Sequence, residues 1–214
     1  MAPFFATYLS LKKRYYFLLV VSLLLLIGYF QQELTLVFQL QNPVVEKIGR
    51  ERFITIFNKY RWIGFLFVPI VVLIRVCYTS ICLYIGKVFN GITSNAGFVS
   101  CYNIALKADI VFVLSSILSF ILILCSGVQQ GQQAMQYTSL LCLVDVDTLD
   151  KWLVAPLAAI NVFEVLYWLF MAQLLTVSNT IKYGEALRFV VSSYGLGFLL
   201  YLIFMMFLLL YLIV

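Results

Sequence analysis

Two charged side chains inside otherwise apolar runs define the chemistry open to this sequence. Glu164 sits near the middle of Trp152–Val177, WLVAPLAAINVFEVLYWLFMAQLLTV, and Arg75 near the middle of the run FLFVPIVVLIRVCYTSICLYIG. An ionised group at the centre of a bilayer costs from about 3 kcal/mol on insertion scales to far more in simulations. Such groups therefore face the protein interior and have a partner or a task. Asn161 and Trp168 lie three residues before and four after Glu164, so a helix puts all three on one face. Arg75, Glu164, Asn161 and Trp168 are thus expected to form an intramembrane polar centre, with Arg75 answering Glu164. Two uses of such a centre stay open. The charges could neutralise each other and fix helix register, with Asn161 completing the hydrogen bonds. Alternatively, Glu164 could couple a proton or an ion to movement while Arg75 gates the path or clamps an anion.

Most catalytic chemistry is short of parts. Histidine is absent, which removes the commonest general base, proton relay and metal ligand. Serine proteolysis lacks a base, and zinc-protease motifs need histidine. Paired intramembrane aspartates are missing, because only Asp109 lies near an apolar run, where it is expected at the mouth of a span and hydrated. The five cysteines show no CxxC spacing, so they read as small buried hydrophobes. Asp145, Asp147 and Asp150 lack the glycine and closing glutamate of a calcium loop. No Walker motif occurs. The expectation is a protein that is not an enzyme, with no cofactor and no metal.

What must position the polar centre is a bundle of membrane helices. The chain has 214 residues, 64% of them hydrophobic and 11% charged, against roughly 25% charged in an average soluble domain. This deficit predicts an all-α, polytopic transmembrane helix bundle, a single integral membrane domain over residues 1–214. About five spans are expected, at 15–38, 62–86, 108–126, 152–177 and 189–214, each near the length that a ~30 Å hydrocarbon core requires. The first reaches residue 38 only if Gln31, Gln32 and Glu33 face other helices. Pro69 is expected to kink the second span, and Pro156 to sit in the first turn of the fourth. Residues 44–61 read as an amphipathic basic helix lying in the interface. Lys12, Lys13, Arg14, Lys47, Arg50 and Arg52 are the candidate membrane-surface cations. The cluster Lys12–Arg14 before the first span places the N-terminus in the cytoplasm. The implied partners are the lipid bilayer and other membrane subunits or further copies of the chain, and not nucleic acid.

Five spans in about 200 residues, together with the polar links KVFNGITSNAGF at 87–98 and SNTIKYGEALR at 178–188, resemble bacterial members of the Yip-domain superfamily. The resemblance covers residues 55–214 and does not extend to the charged segment 44–61. It implies a small membrane protein that serves as a scaffold or as a trafficking or export accessory. It assigns no functional residue. The alternative left by the residues themselves is a small permease subunit built on the Arg–Glu centre.

Overall fold

The computed structural model describes residues 13–40, 45, 49–89, 97–128, 133, 136–144, 149–179 and 181–213. Among the described residues there is no β-strand, only helices and one isolated bridge. In chain order the helices are α1 (Lys13–Gln39), α2 (Arg50–Phe89), α3 (Phe98–Ala108) and α4 (Ile110–Ser126), then a short 3-10 turn (Leu140–Leu143). After these come α5 (Lys151–Ala159), α6 (Val162–Asn179), α7 (Tyr183–Val190), a π-helical turn (Val191–Gly195) and α8 (Leu196–Ile213).

Among the described residues four segments are long and apolar enough to cross a membrane: Arg14–Gln39, Arg50–Phe89, Phe98–Ser126 and Tyr183–Leu212. The third and fourth each join two named helices. The run 152–177, expected as one span, is instead two shorter helices, and only Val162–Ser178 registers as a shorter apolar helix. The chain breaks at Ile160, whose backbone is extended (φ −82°, ψ 94°). Pro156 falls in the second turn of α5, not its first.

Three further expectations change in the same way, by one helix reaching farther than its apolar run. Residues 50–61 are the N-terminal part of the 40-residue α2, which runs on into the apolar segment and holds Pro69 within it. At 1.5 Å per residue α2 is about 60 Å long, twice the thickness of a hydrocarbon core. The third segment starts at Phe98 rather than at residue 108, and the last at Tyr183 rather than at residue 189.

The buried stripe of α2 explains the packing. Val72, Val76, Thr79, Ser80, Leu83 and Gly86 recur at helical spacing on one side, while the other residues of the helix are half-buried or exposed. Near Val72 and Val76 this stripe meets Tyr16, Val20, Ala105, Leu106 and Val113 of α1, α3 and α4. Near Leu83 it meets Cys101, Tyr167, Met171, Val190 and Tyr194, from α3, α6, α7 and the π turn. The apolar residues left outside, such as Leu199, Leu200, Phe204 and Phe207 on α8, form the surface expected against lipid tails.

Candidate functional site

Where the two cores meet, polar groups gather. Arg75 is on α2, between the buried Val72 and Val76. Its guanidinium grips Asp109 with two hydrogen bonds: Nε donates to Oδ1 and Nη2 to Oδ2, both at 2.7 Å. Asp109 lies at the junction of α3 and α4 and is completely buried, and the Arg75 side chain is 28% exposed. The guanidinium also stacks over Phe112, 4.0 Å from the ring centroid. A planar fork matched to a carboxylate is the geometry in which an ion pair best offsets its desolvation.

This corrects the expected pairing. Arg75 answers Asp109 and not Glu164, and Asp109 is not a hydrated residue at the mouth of a span. The reason is that the third helix begins at Phe98. Asp109 then lies inside a continuous helical run, one turn from Val113 and beside Ala105 and Ala108, all of them buried. The signal that could have found it is the small and apolar set Cys101, Ile104, Ala105 and Ala108, which carries the helical period upstream of the apolar run.

Glu164 is also buried, at 6% exposure, in the first turn of α6. Its partner is on its own helix: Trp168 Nε1 donates to Oε1 at 2.8 Å. Asn161 does not share a helical face with these two. It precedes α6 and caps it, its Oδ1 accepting from the Glu164 backbone N–H at 2.9 Å. A carboxylate three residues past a cap is favoured by the positive end of the helix dipole. Sequence spacing therefore brought together Asn161, Glu164 and Trp168, but through a cap and an i,i+4 bond, with Arg75 engaged elsewhere.

The two charged sites are joined by hydroxyls. Tyr167, fully buried, donates to Thr79 Oγ1 at 3.2 Å, and its ring lies 4.9 Å from that of Phe112. The Tyr194 hydroxyl sits beside both the Glu164 carboxylate and Thr79. The Tyr194 and Trp168 rings meet edge to face at 6.1 Å. The π turn that carries Tyr194 lies against α2, where a Cβ on Gly86 would collide with Ser193 and one on Gly197 with Cys82. Single π turns inside α-helices recur at functional sites, and here Ser193 and Tyr194 are both buried.

Arg14, Arg50 and Arg52 are exposed. Lys13 opens α1, and Lys12 and Lys47 lie outside the described residues. Glu33 does face another helix, accepting from Arg61 Nη1 at 2.6 Å, and Gln31 donates to the Ser116 carbonyl at 3.4 Å. Arg61 rests 4.4 Å over the Tyr29 ring. Among the described residues no three His, Cys, Asp or Glu side chains gather in a way that could hold a metal.

Chemically, each carboxylate of this centre has donors already aimed at it. Trp168→Phe removes the indole donor to Glu164 and leaves a smaller ring, and is expected to cost about 1–3 kcal/mol, from a buried acceptor that loses one of its donors and from lost packing. Glu164→Gln keeps an acceptor for the indole and is expected to stay within about 1 kcal/mol of the parent. Unfolding of the purified protein in mild detergent, followed by tryptophan-independent circular dichroism, reads both. No known family model, curated protein or solved structure matches this chain.

Proposed function

We propose that this chain is a non-enzymatic integral membrane protein of the cell membrane that acts as a scaffold or accessory subunit of a membrane complex. Its N-terminus is cytoplasmic in this reading, because basic residues precede α1. The observation that carries it is the saturation of the buried charges. Arg75 and Asp109 hold each other in a two-bonded fork, and Glu164 is held by Trp168 and by the start of its own helix. Groups fixed in this way set helix register, as a scaffold needs, and among the described residues both buried carboxylates already have donors. The resemblance of the polar links at 87–98 and 178–188 to those of Yip-domain proteins points the same way.

A second reading, a small permease subunit, draws on a different observation: the break between α5 and α6. Discontinuous helices are the usual framework of substrate sites in secondary transporters.

Purified protein in liposomes with an internal pH-sensitive dye separates the two. Under an imposed membrane potential, the scaffold reading expects proton flux no greater than in empty liposomes, and the same for Glu164→Gln. It also expects the chain to migrate on a native gel in a discrete assembly larger than its own 24.5 kDa, unaltered by that substitution. Flux that disappears with Glu164→Gln would overturn the scaffold reading in favour of the permease.

A further inference from the structure

The charges of this chain are unevenly divided between the two ends of the bundle. Glu33, late in α1, meets Arg61 of α2 at 2.6 Å, and the Tyr29 and Phe65 rings stack at 6.3 Å. These two helices are thus antiparallel, and the start of α1 lies toward the end of α2. Phe98, which opens α3, meets Tyr84 in the last turns of α2 edge to face at 6.0 Å. Ser193, just past α7, packs on Gly86. The start of α1, the end of α2, the start of α3 and α7 therefore share one end.

Three stretches of sequence serve this end: 1–14 leads into α1, 87–97 runs from α2 to α3, and 179–188 runs from α6 into the last apolar run. They hold six bases, Lys12, Lys13, Arg14, Lys87, Lys182 and Arg188, and one acid, Glu185. The stretches that turn the chain elsewhere, 31–61 and 127–151, hold six bases and six acids. Inside the apolar segments Arg75 and Lys107 balance Asp109 and Glu164. The whole net charge of +5 therefore belongs to the three stretches at one end. Such an excess attracts anions within a screening length, about 8–10 Å at ordinary ionic strength. The depth of these cations points to lipid. Arg14 directly precedes the apolar run of α1, Lys87 follows that of α2, and Arg188 precedes Phe189 and Val190. Exposed rings accompany them at Tyr15, Tyr84 and Tyr183. Cations and amphipathic rings at the limits of apolar helices sit at headgroup level.

We propose that this end of the bundle binds anionic phospholipid headgroups as a charged surface, and that the opposite end, with Arg50 and Arg52, does not. A headgroup whose phosphate has no compensating amine suits a surface rich in bases and short of acids. Because the cations abut the apolar runs, lipid headgroups meet them before an acidic protein segment does. The binding rests on the division of charge, and neither on the scaffold reading nor on which side of the membrane this end faces.

The test uses the full chain in liposomes of equal parts phosphatidylglycerol and phosphatidylcholine with the same acyl chains. After extraction in a mild non-ionic detergent, the phospholipid that stays with the protein is quantified by mass spectrometry. Phosphatidylglycerol should be enriched on the chain at least about threefold over its share in the liposomes. Salt at about 1 M, which shortens the screening length to about 3 Å, should abolish the enrichment. The triple variant Arg14→Gln, Lys182→Gln, Arg188→Gln should return it to the liposome ratio. The triple variant Arg50→Gln, Arg52→Gln, Lys59→Gln removes as much charge from the other end and should leave it unchanged. All six side chains are exposed, so both variants are expected to fold; if the first does not, the salt arm decides. No enrichment in the parent, enrichment that survives salt, or an equal loss in the two variants overturns the proposal. Retention of polyglutamate without phosphatidylglycerol enrichment would assign the surface to an acidic protein partner and overturn it too.

Discussion

Arg75→Gln is expected to reduce stability by about 3–5 kcal/mol, because it leaves the fully buried Asp109 carboxylate with no counter-charge. Asp109→Asn should cost less than Arg75→Gln, since the stranded guanidinium keeps its stacking on Phe112 and is partly exposed. The pair Arg75→Gln with Asp109→Asn should be more stable than Arg75→Gln alone: neither residue is then ionised, and an amide pair can still hydrogen-bond. Loss of the pair is read as folded, monodisperse yield and as a midpoint lowered by on the order of 10 °C. Because Arg75 and Asp109 tie α2 to the junction of α3 and α4, the effect should spread to both cores.

The second large effect lies at the seam between α2 and the π turn. A methyl on Gly86 would fall on the side chain of Ser193 and lie 3.2 Å from its Cα. Gly86→Ala must therefore push the two helices apart, at about 1–3 kcal/mol. The displacement would also move Tyr194, next to Ser193, away from Glu164. Ser193→Gly removes the atom that the new methyl strikes. It should recover part of the loss, less the ~1 kcal/mol that glycine costs within a helix. Gly86→Ala should consequently show an altered near-ultraviolet signal from Trp168, whose ring meets that of Tyr194. An unchanged midpoint and signal in Gly86→Ala would mean that the seam is looser than its geometry implies.

Apolar content and charge depletion make the helical class legible from sequence, and the four long apolar helices agree with it. Helix ends are less legible. The apolar run of the third segment opens after Asp109, but its helix opens at Phe98, because Cys101, Ile104, Ala105 and Ala108 pack against α2 and α6 in a stretch that also holds Asn103 and Lys107. A helix that began at residue 108 would leave Asp109 in water and Glu164 as the only acid for Arg75. The break at Ile160 was equally hidden, since Ala158, Ala159 and Ile160 are all apolar and carry no turn signal. What stops the helix is tertiary: residues 138–140 take over its backbone bonds. The spacing of Asn161 from Glu164 is visible in the sequence, but its role as a cap follows only from that break. The link between Glu164 and Trp168 was legible because it needs only an i,i+4 spacing on one helix.

The measurement that tests the charged centre most directly is a pair of double-mutant cycles on reversible unfolding in mixed micelles. One cycle combines Arg75→Gln with Asp109→Asn, the other Arg75→Gln with Glu164→Gln. Coupling of about 2 kcal/mol or more in the first, and under about 0.5 kcal/mol in the second, is the result expected if Asp109 is the counter-ion of Arg75. The reverse order, with Arg75 coupled more strongly to Glu164, would contradict it.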